Sequence, residues 1–148
     1  MLGIVAALFC TLIVAGLCSY FFKLDLKWYV ELNKPIFLVS GGWFTVFVAA
    51  SYLSSILAIS RLVEFKHIFP SMIFFAILGF CSVMFVMSFF YFKNIIAGLV
   101  FITLSLAMAY TLFVRFLLKD VKIAVEFLPA FLFYVYCFLC IMSIAMNN

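Results

Sequence analysis

Five stretches free of charged residues and histidine divide the chain: 1–22, 35–60, 68–92, 94–114 and 127–148, each between 21 and 26 residues long. A bilayer's hydrocarbon core, about 30 Å thick, takes roughly 20 apolar residues of helix, so each stretch can cross once and none can cross twice. Composition agrees: 71% of the 148 residues are hydrophobic, 9% are charged, and mean hydropathy is +1.43. A water-soluble domain of this length leaves about 30% of its unfolded surface wet and needs far more polar area to cover it. The sequence therefore predicts an all-α integral membrane protein made of one five-transmembrane-helix bundle. Its helices are expected near 3–22, 43–62, 68–91, 95–116 and 126–146, with a longer interfacial first loop over 23–42.

An odd number of crossings puts the chain ends on opposite faces. Arg61, Lys66, Arg115, Lys119 and Lys122 then share the N-terminal side, against Lys23, Lys27, Lys34 and Lys93 on the other. That is a lean of one charge toward a cytoplasmic N-terminus. The middle of every span lacks Asp, Glu, Lys and Arg, which sets the chain apart from proton pumps, ion-coupled transporters and voltage sensors. The first span has no basic residue ahead of it and is long for a signal-peptide core, so it is expected to remain as a helix. Val14-Ala15-Gly16-Leu17-Cys18 is similar to a lipoprotein cleavage site, but leucine stands before the cysteine where a small residue is needed.

Residues able to carry reaction chemistry are few and scattered. Cys10, Cys18, Cys81, Cys137 and Cys140 all lie within spans, where cysteine behaves as a small hydrophobe. Cys137 and Cys140 have redox-like spacing without the electropositive setting that lowers a thiol pKa. His67, the sole histidine, sits beside Lys66 at the interface. It is read as a solvated loop residue, with axial haem ligation the alternative. No catalytic or metal-binding residue is predicted, and no nucleic-acid partner. Small residues in the first span (Gly3, Ala6, Ala7, Ala15, Gly16) and Ser105 with Ala109 in the fourth suit close helix contacts. Ala76 and Gly79 offer a small patch for a homodimer.

The aromatic load is unusual: 22 Phe, 7 Tyr and 2 Trp, or 21% of the chain. Many such rings face lipid, fill gaps or form interfacial belts. The other use is a pocket whose flat walls stack on a planar ligand. The first loop concentrates the signal. Trp28, Tyr29 and Leu32 suit one or two interfacial helical turns, and Pro35 ends that element. Gly41-Gly42 gives a flexible point before Trp43, so the segment is expected to fold over the bundle mouth as a lid.

At these spacings Trp28-Tyr29, Leu32, Lys34-Pro35 and Phe37, followed by Phe44 and Tyr52, resemble the first-loop signature of the TspO/MBR family. These are the tryptophan-rich sensory proteins, also called translocator proteins or peripheral-type benzodiazepine receptors. A weaker likeness runs through the third span, where the family's closing Phe pair falls on Phe89 and Phe90, and through the fifth, where its proline falls on Pro129. The departures are specific. The family's Pro-Pro is Val39-Ser40, its pocket tryptophans fall on Val48 and Phe133, and its third-helix Gln and Asn are Leu78 and Ser82. The sterol-recognition pattern fails because no Lys or Arg follows Tyr134 or Tyr136.

The resemblance implies five helices and a hydrophobic ligand of the tetrapyrrole class, porphyrin or haem-like, with no cofactor required. It also implies an address in a bacterial cytoplasmic membrane rather than the mitochondrial outer membrane. The ligand-lining set expected from it is Tyr29, Phe37, Phe44, Val48, Tyr52, Phe85, Phe89 and Phe133, with Trp28, Leu32, Lys34 and Pro35 in the lid. Three readings follow: a non-enzymatic binder that senses or transports such a ligand, a membrane interaction or assembly subunit on the same scaffold, and a porphyrin-degrading enzyme. The last is disfavoured by Val48 and Phe133 at the tryptophan positions.

Overall fold

The computed structural model describes residues 2–23, 26–38, 41–62 and 69–148. The interface residues Lys66 and His67, and Val39-Ser40, lie outside the described residues. The chain is almost entirely helical: α1 (Leu2–Lys23), α2 (Leu26–Glu31), α3 (Gly41–Leu62), α4 (Phe69–Val86), α5 (Ile95–Lys119) and α6 (Val121–Asn147). A π-helical turn, Met87–Tyr91, continues α4. Among the described residues four helices are long and apolar enough to cross a membrane, Trp43–Leu62, Phe69–Tyr91, Ile95–Lys119 and Val121–Asn147. They make this a multi-pass membrane protein. Within α1, Thr11–Tyr20 is a further apolar helical segment among the described residues.

The connector expected between the helices at 95–116 and 126–146 is not a loop. Charge does not end a helix, and Lys119 and Lys122 are good helix formers, so α5 and α6 run toward each other until only Asp120 separates them. Its extended backbone turns the chain, its N–H donates to the Phe116 carbonyl at 2.8 Å, and its carboxylate accepts from the Lys122 N–H at 2.9 Å. One residue thus closes α5 and caps α6. The α4–α5 junction is almost as short. Lys93 takes the left-handed conformation (φ 53°), and the Asn94 side chain caps α5 by accepting from the Ala97 N–H at 3.0 Å.

α6 packs on α5 most extensively, α4 on α5 and α3 on α6 nearly as much, while α1 touches α3 and α4 more sparsely. The helices close a ring in the order α1, α3, α6, α5, α4. Two packed clusters cap it. Near the Asp120 turn, Ala58, Leu62, Leu78, Ala109, Leu112, Phe116, Ile123, Ala124, Phe127 and Ala130 are buried together. Phe116 and Phe127 meet edge to face at 5.3 Å, and Phe75 packs on both. At the opposite end Phe89, Phe90, Ile102, Cys137, Ile141 and Ile144 pack beneath Trp28, Tyr29 and Leu32. Lipid is as apolar as these side chains, so close dispersion contact holds both clusters more than water exclusion does.

Pro129 interrupts α6 without ending it. Beside it the buried Ser54 hydroxyl of α3 donates to the Glu126 carbonyl and accepts from the Ala130 N–H at 3.3 Å. A hydroxyl thereby enters the hydrogen-bond ladder where proline has loosened it, as side chains do at helix kinks. One turn toward the helix end, Arg61 Nε pairs with Glu126 Oε1 at 2.5 Å. These contacts bring the end of α3 and the start of α6 to one side of the bundle.

A candidate ligand-binding cavity

Inside the ring, bounded by α1, α3, α4 and α6 with Ile102 from α5, lies a cavity of about 950 Å³. That is at the upper end of the ~300–1,000 Å³ typical of small-molecule sites. The α3 wall follows helical spacing: Phe44, Val48, Ser51 with Tyr52, Ser55, Ile59. The facing wall from α4 includes Phe75, Gly79, Ser82 and Phe85, while Phe133, Tyr134 and Cys137 come from α6. Cys18 of α1 completes a wall that is mostly hydrocarbon and aromatic ring.

Its hydroxyls are largely engaged with the protein. Ser51, Ser55 and Ser82 donate to the carbonyls of Val48, Ser51 and Leu78 at 2.8, 2.9 and 2.8 Å. Because the Ser82 hydrogen is committed, Tyr134 is the donor in the 3.0 Å contact between the two hydroxyls, which joins α6 to α4. Tyr52 hydrogen-bonds the Cys18 thiol, joining α3 to α1. Cys18, Cys81, Cys137 and Cys140 are free thiols, and among the described residues no cluster of His, Cys, Asp and Glu could hold a metal.

Of the ligand-lining residues expected from sequence, Phe44, Val48, Tyr52, Phe85 and Phe133 stand together in this wall. Tyr29, Phe37 and Phe89 do not. Phe89 is fully buried, ringed by Trp28 (5.3 Å), Tyr29 (6.3 Å), Phe85 (6.0 Å) and Phe90 (4.9 Å). The π-helical turn explains this: the wider turn brings two consecutive phenylalanines inward, and Phe90 rather than Phe89 reaches the cavity. Gly98 of α5 makes the seat, since a Cβ there would stand 3.0 Å from Phe89 Cδ2. Tyr29 rests on Phe90 at 5.5 Å, one ring removed from the cavity. Burial there pushes its phenol up to about 12.

Phe37 is further away, in a shallow groove with Leu139, Met142, Ser143, Met146 and Asn147. The lid is held there by contacts the sequence did not announce. The Asn33 N–H donates to Asn148 Oδ1 (3.1 Å), Asn33 Nδ2 to the Asn147 carbonyl (3.3 Å), and Asn148 Nδ2 to the Asn33 carbonyl (3.2 Å). Pro35 is buried and starts a turn closed by the Leu38 N–H at 3.0 Å. Lys34, in the lid, lies with its ammonium 4.5 Å from the centre of the Tyr29 ring.

The small patch offered for a dimer in the third span also has a place inside the molecule. Ala76 and Gly79 line the cavity, and a Cβ on Gly79 would stand 3.1 Å from Val14 Cγ2 of α1. The missing side chain at Gly79 lets α1 come close to α4. Compared with models of known protein families and with curated proteins, the chain matches none.

Proposed function

We propose that this chain is a membrane binding protein of the TspO type, with α1 as the first of five spans, taking planar apolar ligands of the tetrapyrrole class. The observation that carries the reading is the cavity of about 950 Å³ within the helix ring, with five of the eight expected lining residues in its wall. Phe44, Phe85 and Phe133 offer ring faces for stacking, and Tyr52 and Tyr134 offer polar edges for orientation. The lid, seated on Phe89 and Phe90, supports the aromatic wall rather than contacting the ligand. Binding without chemistry fits a wall in which phenylalanine and valine replace tryptophan. A bacterial cytoplasmic membrane is the proposed setting.

The test is titration of the detergent-purified protein with protoporphyrin IX, following Trp28 and Trp43 fluorescence together with the porphyrin absorption band. Saturable quenching at micromolar or tighter affinity, with the pigment intact under light, is the expected result. Pigment lost only with both protein and light would favour an enzyme. Absence of saturation both by protoporphyrin IX and by its uncharged dimethyl ester would move the reading to an assembly subunit, recognised by a co-purifying partner.

A further inference from the structure

Cavity polarity narrows the ligand further, within the reading just proposed. None of the described lining residues is charged; the polar ones are Ser, Thr, Tyr and Cys. A carboxylate entering such a wall loses its water and finds no cation there, and an unpaired charge in apolar surroundings is the least tolerated of burials. Lys34, the lid's lysine, is stationed over Tyr29. It stands outside the wall, behind Phe90.

The hydroxyls add a second constraint. Ser51, Ser55 and Ser82 each spend their one hydrogen on a helix carbonyl, and Tyr134 spends its own on Ser82. A hydroxyl oxygen keeps acceptor capacity after its hydrogen is committed. These groups therefore present lone pairs to the cavity and few free hydrogens.

We infer that the cavity selects uncharged planar ligands with hydrogen-bond donors at their edge, and discriminates against the same ring bearing carboxylates. The donors meet the oxygens of Ser55 on α3 and Ser82 on α4. The polarity of the wall, more than its shape, sets this order.

Three forms of one ring test it: protoporphyrin IX, its dimethyl ester and its diamide. Each is titrated into the full-length protein in lipid nanodiscs, with protein-free nanodiscs as the blank for partitioning. The diamide should bind tightest, the ester several-fold weaker, and the free diacid at least tenfold weaker than the ester. A diacid that binds as tightly as the ester overturns the charge selection and leaves tetrapyrrole binding standing. An ester equal to the diamide overturns the role of the donors. If none of the three saturates, the tetrapyrrole reading falls and this inference with it. The double variant S55A/S82A should narrow the gap between diamide and ester affinities; an undiminished gap would also overturn the assigned acceptors.

Discussion

The two ends of the helix ring are sealed by different means. At the Asp120 end the seal comes from neighbours in sequence: a single residue joins α5 to α6, and Leu112, Phe116, Ile123 and Phe127 pack across the turn it makes. At the lid end it comes from afar. Trp28 and Tyr29 lie on Phe89 and Phe90, and Asn33 is strapped to Asn147 and Asn148. The first arrangement closes a very short loop and costs little chain entropy; the second orders a long connector on a distant surface. The less locally anchored end is the one that can yield while the other holds the ring.

The contrast is sharpest in truncation of a buried ring at the Asp120 end. Phe127→Ala should cost about 3–5 kcal/mol, chiefly as lost packing around the hole it leaves. Reversible unfolding of the purified protein by SDS, read by circular dichroism, measures it. A loss below about 1 kcal/mol would mean this end is no firmer than the other.

The next effect belongs to the lid end. Gly98→Ala gains helix propensity, yet its methyl meets a Phe89 ring that is walled in on all sides and has nowhere to move. Overpacking of that kind costs about 1–3 kcal/mol. We expect Gly98→Ala to destabilise and to raise proteolysis of the lid near Asn33. Limited proteolysis would show the reverse, a protected lid, if the seat had room.

Asp120→Ala is expected to cost about 1 kcal/mol, the worth of an N-cap. The same unfolding assay reads it, and the lid should keep its protease resistance. A lid that loosens along with this change would mean the two ends are one cooperative unit.

The smallest effect is one of pH. The half-buried Tyr29 phenol ionises near 12 in the fold against about 10 in the open chain. Between these values the folded state holds more protons than the unfolded one, so lid stability is complete below pH 10 and falls as pH rises toward 12. Tyr29→Phe should flatten that fall in alkaline proteolysis rates, whereas an unchanged slope would place the effect elsewhere.

Long uncharged runs made the four spanning helices legible, because hydrocarbon admits only backbone whose hydrogen bonds close within the helix. Phe44, Val48 and Tyr52 were singled out by the resemblance to the TspO/MBR signature, and their helical spacing on α3 brings the unread Ser51 and Ser55 into the same wall. The pairing of Tyr134 with Ser82 was beyond reach, since it joins residues 52 apart on helices whose order in the ring no local pattern encodes. Phe89 and Phe90 read as one aromatic pair in sequence. Only the π-helical turn and the Gly98 seat decided that Phe89 holds the lid while Phe90 faces the cavity. What composition and periodicity determine is which segments enter the membrane and which face of each is special. Which faces meet is decided by packing among helices that lipid alone does not tell apart.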